Sequence, residues 1–236
     1  CEAPKYLGAR LDGGYSDHII VPHSKYIVSY GDMDPAQAAP YACSGLTAFS
    51  ALKKIPTTSK DDWIIIIGAG GVGINGILLS PAIHKAKILV IDNDPEKREK
   101  AIEAGASEAF SPDDETEIRN KIGIGASAAI DFVGRPETTD LGLSLVKKGG
   151  MVIVVGLYGG SLKLSLPLVP MRSMTLRGSY VGELRELKEL VNIIKSGEIK
   201  LIPVKKQGLE TANQAMSDLR SGKVNGRIVL IPNQKY

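Results

Sequence analysis

The chain has 236 residues, 43% hydrophobic and 23% charged, with 29 lysines and arginines against 26 acids and a formal net charge of +3. That balance belongs to a globular protein long enough to bury a core, as one large domain or two smaller ones. It excludes several classes: charges alternate in sign, as in ELRELKEL (183–190), which argues against nucleic-acid binding. No run reaches the roughly 18 apolar residues of a membrane span, and no signal peptide is visible. Two cysteines exclude a disulfide framework and point to a reducing compartment, the cytoplasm.

In chain order, residues 1–34 show no helical period. Gly13-Gly14 marks a turn, and YSDHIIVP after it predicts a short strand ended by Pro22. Asp34-Pro35, a capping residue before a proline, predicts a helix start. PYACSGLTAF (40–49) places Cys43 among small residues, and IPTTSKDD (55–62) is a polar break. WIIIIGA (63–69) is then a continuous apolar run, the signature of a parallel strand buried on both faces.

Strands and helices alternate beyond it. A helix is expected over 72–85, kinked by Pro81, then a strand KILVID (87–92) and a capped helix (94–106) ending at Gly105. EAFS (108–111), ASAAIDFVG (126–134), GGMVIVVGL (149–157) and MTLRGSY (174–180) are further strands. Helices fall between them at 113–122 and 136–146. Helices near 183–195 and 210–221 and a final strand GRIVLIP (226–232) follow. Such alternation predicts an α/β fold with a doubly wound parallel sheet.

IIIIGAGGVGINGILL sets Gly68, Gly70 and Gly73 in a G-x-G-x-x-G pattern where a strand ends and a helix starts. The first glycine permits the tight turn, the second lets backbone approach a pyrophosphate, and the third lets helix and strand pack closely. The next strand ends at Asp92, 19 residues past Gly73, where a carboxylate would accept both ribose hydroxyls and repel a 2′-phosphate. NAD is therefore favoured over NADP. The competing view is that the glycines only close a turn and Asp92 caps a helix. Lys97 either reaches the same ribose or is simply solvated.

Taken together, DGGYSDHIIVP, APYACSGLTAFSALKK, GAGGVG with Asp92, DFVGRPET, VVGLYGG and SGKVNGRIVL resemble, in order and spacing, the zinc-dependent medium-chain alcohol dehydrogenases. The resemblance covers essentially the whole chain and looks like the C-terminal two-thirds of that family. It implies a remnant of a GroES-like, β-rich catalytic domain at 1–43, a Rossmann NAD-binding domain at 44–178, and a return segment to the catalytic domain at 179–236. The activity implied is hydride transfer between an alcohol and NAD, with a catalytic zinc. The partners implied are a small alcohol and its aldehyde or ketone, and a homodimer whose sheet continues across the sixth strand, or a homotetramer of such dimers.

The resemblance also assigns residues. Cys43 matches a ligand of the catalytic zinc, against the plainer reading of a small buried cysteine. Cys1 matches one ligand of a four-cysteine structural zinc site. The other ligands of both sites lie upstream in the family. Thr47 matches a threonine against the nicotinamide. Gly71 and Val72 match loop residues beside the pyrophosphate and ring, and Phe132 and Val133 match residues near the ribose and the cofactor's middle. Val155, Ser179 and Val181 match backbone contacts to the carboxamide. Arg227 matches an arginine on the pyrophosphate, or else is an edge-strand charge. His18, His23 and His84 match no ligand position and are expected at the surface. Two alternatives stand beside this reading: a zinc-free quinone or enoyl reductase, and a non-catalytic NAD-binding module.

Overall fold

The computed structural model describes residues 5–232. Asp34 caps α1 (Pro35–Ala38) by accepting the Ala36 amide at 2.9 Å, with Pro35 in the first turn. A 3-10 turn (Ala39–Ala42) leads into α2 (Ser44–Leu52), buried at every position but Thr47.

The central strand is β1 (Trp63–Ile67). Beside it lie β2 (Lys87–Ile91), β3 (Glu108–Phe110), β4 (Ala126–Asp131), β5 (Val146–Val154) and β6 (Thr175–Gly178). They form one six-stranded parallel sheet in the order β3-β2-β1-β4-β5-β6. The crossovers hold α3 (Gly71–Leu79), α4 (Pro95–Glu103), α5 (Glu115–Ile122), α6 (Pro136–Leu145) and α7 (Leu168–Arg172).

The apolar run of β1 is explained by its two faces. Ile64 and Ile66 pack with Phe49, Leu52, Ile77 and Leu190, while Ile65 and Ile67 pack with Ile118, Leu143 and Leu145. Successive side chains point to opposite faces, and helices cover both. Beyond the sheet come α8 (Leu184–Lys195), β7 (Val204–Gly208), α9 (Ala212–Arg220) and β8 (Arg227–Ile231), with β7 and β8 paired in parallel as a separate two-stranded sheet. No helix among the described residues is long and apolar enough to cross a membrane.

Three expectations need correction, and one strand had no counterpart among them. YSDHIIVP forms no strand: residues 15–22 are irregular and Ile20 is 87% exposed, because none of the described residues offers that segment a ladder. The helix expected to run kinked to residue 85 stops at Leu79. A 3-10 turn (Ser80–Ala82) takes over with Pro81 in its first turn, so the missing N–H ends the α-helix. His84 is buried rather than superficial. Its Nε2–H donates to the Leu52 carbonyl at 2.9 Å, tying the end of α2 to the turn after α3. Finally, β7 was not expected at all, since its polar, half-exposed sequence carries no apolar period.

Away from the crevice, Asp62 fastens the start of β1 to β4 and β5. It accepts from Lys147 Nζ at 2.8 Å, from the Ser127 hydroxyl, and from the Ser59 amide at 2.8 Å. The Lys147 bond first, then those of Ser127 and Ser59, holds the Asp62 carboxyl well below the ordinary value of 3.8. A depressed carboxylate contributes stability that is present above its unfolded value and lost as the pH falls through the native one. Asp62→Asn should therefore destabilise the chain by about 1 kcal/mol at pH 7, discounted for partial exposure of the pair. The difference from wild type should shrink progressively as the pH falls below 3.8. Urea unfolding at pH 7 and at pH 3 measures both; a difference that does not depend on pH would contradict the assignment.

Candidate nucleotide-binding site

The strand β1 ends in Gly68, which turns at φ +91; a Cβ there would also stand 2.7 Å from Val133 Cγ2. At Gly73, on α3, a Cβ would lie 1.8 Å from the Gly68 carbonyl oxygen. Only hydrogen fits between helix and turn. Gly71 is closed in by Arg227 Cδ and the Gly226 carbonyl, each 2.7 Å from where a Cβ would be. Gly70 differs: its backbone is extended, at φ −70, and a Cβ would meet nothing within 4 Å. The loop thus keeps open space at the one glycine its own packing does not require. Gly70 is also the N-cap of α3 and offers no side-chain cap. The first-turn amides, Gly71, Val72 and Gly73, are left with the positive end of the helix dipole, an anion cradle.

Asp92 sits just past β2 and is buried. One carboxylate oxygen accepts the Ala69 amide at 2.7 Å and the other the Asp94 amide at 2.9 Å, so it fastens the glycine loop to the start of α4. Each oxygen retains a second acceptor site. Arg98 donates to the Asp92 carbonyl at 2.8 Å. Lys97 pairs with Asp94 at 3.7 Å, so its ammonium faces the cap of its own helix.

The structure brings Arg227 to the glycine loop, where its Cδ and Nη1 line Gly71. Val133 lies against Gly68 and gives its amide to Asp131. Phe132 packs its ring on Gly76 of α3 and joins the core. The Val155 amide donates to the Asp131 carbonyl at 2.9 Å, and the Ser179 amide to the Val154 carbonyl at 2.9 Å. Val181 adopts φ +51, a conformation that costs a β-branched residue strain of about 1–3 kcal/mol. Thr47 is half-buried one turn beyond Cys43, whose carbonyl accepts its amide at 2.8 Å. A cavity of about 650 Å³ lies beside α9 and β8; it shares Arg227 with the loop but none of the loop glycines.

Cys43 is exposed at the start of α2, not a buried filler. Among the described residues no three His, Cys, Asp or Glu side chains converge as a metal site requires. One thiolate does not hold zinc, so the described residues do not by themselves fit that ion. The Cys1 assignment lies outside the described residues.

Two residues escaped the sequence reading. Asn75, fully buried in α3, donates to the Ser44 hydroxyl at 3.2 Å and to the Gly71 carbonyl at 3.0 Å. Ser44 in turn donates to the Pro40 carbonyl at 2.9 Å. This chain of bonds joins the anion cradle to the turn carrying Cys43. A lone polar residue within GINGILL was the available signal. The other is Asp131, hidden within an apolar strand.

The family model described as zinc-binding dehydrogenase matches residues 71–196. The NAD-dependent alcohol dehydrogenase of Sulfurisphaera tokodaii is 33% identical over 236 residues, covering 98% of this chain and 68% of that protein. The chain belongs to the zinc-binding dehydrogenase family. The crystal structure of the alcohol dehydrogenase from Aeropyrum pernix superposes with a TM-score of 0.85 at 30% identity, over 97% of this chain and 68% of that one. A third relative, D-arabinose 1-dehydrogenase (NADP(+)) of Saccharolobus solfataricus, is 34% identical over 98% of this chain and 68% of its own length. The names of these relatives thus cover both coenzymes, and the choice has to be argued from the chain itself.

The two central glycines separate fold from binding. Gly73→Ala should destabilise the chain by more than about 3 kcal/mol, since backbone must move. Gly70→Ala should leave stability within about 1 kcal/mol yet weaken NADH binding at least about tenfold, because the methyl would fill the open space beside the first-turn amides. Thermal unfolding and NADH titration of both variants test this; equal loss of stability in the two would refute the distinction.

Proposed function

We propose that the chain forms the coenzyme-binding part of an NAD-dependent alcohol dehydrogenase, in which a hydride passes between the carbinol carbon of a primary or secondary alcohol and C4 of the nicotinamide. The alcohol loses hydride and proton, becoming an aldehyde or ketone, and NAD becomes NADH. NAD supplies the hydride acceptor when bound; the chain's residues bind and orient it. The pyrophosphate would rest on the amides of Gly71, Val72 and Gly73, with Arg227 beside it as counter-charge. The carboxamide would meet backbone at Val155, Ser179 and Val181, and Thr47 would face the ring.

The observation that carries the reading is Asp92. Both its oxygens are committed to backbone amides at 2.7 and 2.9 Å, which places the carboxylate, and each still has an acceptor site for a ribose hydroxyl. Facing a 2′-phosphate, the same buried charge would be repulsive. This favours NAD even though one relative is named for NADP(+). Lys97, held by Asp94, is a weaker candidate for the ribose.

Zinc at Cys43 requires at least two further protein ligands beyond those among the described residues. The strand β6 is an edge, exposed at all four positions, with Leu166 and Met171 exposed just before it. An edge of that kind is suited to pairing with a second copy.

Asp92→Ala should weaken NADH binding about tenfold and bring NADPH to within about threefold of NADH. Paired fluorescence titrations measure this; a variant that still discriminates as the wild type does would overturn the ribose role and with it the NAD assignment.

A further inference from the structure

Asp131 ends β4 and has no exposed surface. One carboxylate oxygen accepts the Val133 and Gly134 amides, both at 2.9 Å. The other accepts the Thr138 hydroxyl at 2.9 Å and the Thr139 hydroxyl at 2.7 Å. All four donors are neutral. None of the ion pairs among the described residues includes Asp131. The cation nearest in sequence, Arg135, is exposed and stacks on Tyr158, 3.6 Å from the ring centre. The Asp131 carboxyl is therefore buried on neutral hydrogen-bond donors, with no ion-pair partner among the described residues, an arrangement that is costly for its charged form unless something else requires it.

The location supplies the requirement. The Asp131 carbonyl also accepts the Val155 and Gly156 amides, at 2.9 and 3.0 Å, so one residue roots the loops after β4 and after β5. Those loops touch: a Cβ at Gly134 would stand 2.0 Å from the Gly156 carbonyl oxygen. Ligands of such sheets bind in the crevice where strand order reverses, here between β1 and β4. With the adenosine ribose at Asp92 beyond β2 and the pyrophosphate after β1, the nicotinamide half must extend over the loops that Asp131 roots. The inference thus rests on the coenzyme orientation proposed above. The nicotinamide ring is cationic in NAD and neutral in NADH, so a buried charge near it would act on one and not the other.

We propose that Asp131 is a positioning residue that also sets the redox preference of the site, its buried carboxylate favouring oxidised over reduced nicotinamide. Were the carboxylate within about 10 Å of the ring, an effective dielectric near 20 would make the shift in that preference roughly tenfold.

The test is calorimetric titration of the full chain with NAD, NADH and ADP-ribose. Asp131→Asn should lower the affinity for NAD relative to NADH about tenfold, and Asp131→Glu should restore most of the wild-type ratio. Thr138→Lys, at a half-exposed position whose hydroxyl already touches the carboxylate, neutralises the charge without removing it and should move the ratio the same way. That variant keeps the test open should Asp131→Asn not fold. ADP-ribose, which lacks the nicotinamide ring, should change less than about twofold with Thr138→Lys. A folded neutral variant whose NAD to NADH ratio matches wild type overturns the proposal. A wild-type chain that binds none of the three overturns instead the coenzyme reading beneath it.

Discussion

Helix α3 is seated so closely on the turn after β1 that a single methyl group at Gly73 would overlap the Gly68 carbonyl, 1.8 Å away. Much else follows from that contact. It aims the first turn of α3 into the crevice and brings Gly71 against Arg227, drawing the start of β8 to the loop. It also lets Asp92 reach across to the Ala69 amide. Were helix and strand held at ordinary distance, the amides would face elsewhere and the carboxylate would have nothing to clamp.

Three aspartates then divide the labour at the strand ends. Asp62, before β1, is met by a lysine and a hydroxyl, and its role is to hold three strands together. Asp92 and Asp131, at the crevice end, are met by backbone amides and threonine hydroxyls, with no ion pair among the described residues. Neutral donors satisfy a buried carboxylate while leaving its charge uncancelled. That charge remains available at the end of the sheet where a coenzyme of variable charge would bind, whereas the charge of Asp62, at the opposite end, is neutralised by Lys147.

The parts of the molecule readable from sequence are those whose cause is local. The isoleucines of WIIII declared a strand buried on both faces, and the capped starts at Asp34 and Asp94 are present as expected. The glycine spacing marked a contact between near neighbours in the chain. What stayed illegible depends on distant partners. The segment β7 is a strand only because β8 returns beside it, and YSDHIIVP is none because the described residues bring it no ladder. His84 is buried by a carbonyl 32 residues away, and Asn75 by a hydroxyl 31 residues away. Asp131 looked like one more strand residue because its donors come from the turn and helix that follow. Pro81 was noticed, but whether it would bend the helix or end it depended on the 3-10 turn that follows.

The central claim is that the open space at Gly70, the uncapped first turn of α3 and the carboxylate of Asp92 together form a preformed site for NAD. Calorimetric titration of the unmodified chain with NADH and, separately, NADPH tests it most directly. Saturable one-to-one binding of NADH, at least about tenfold tighter than NADPH, is the predicted result. A folded chain that binds neither, or that binds NADPH as well as NADH, would contradict it.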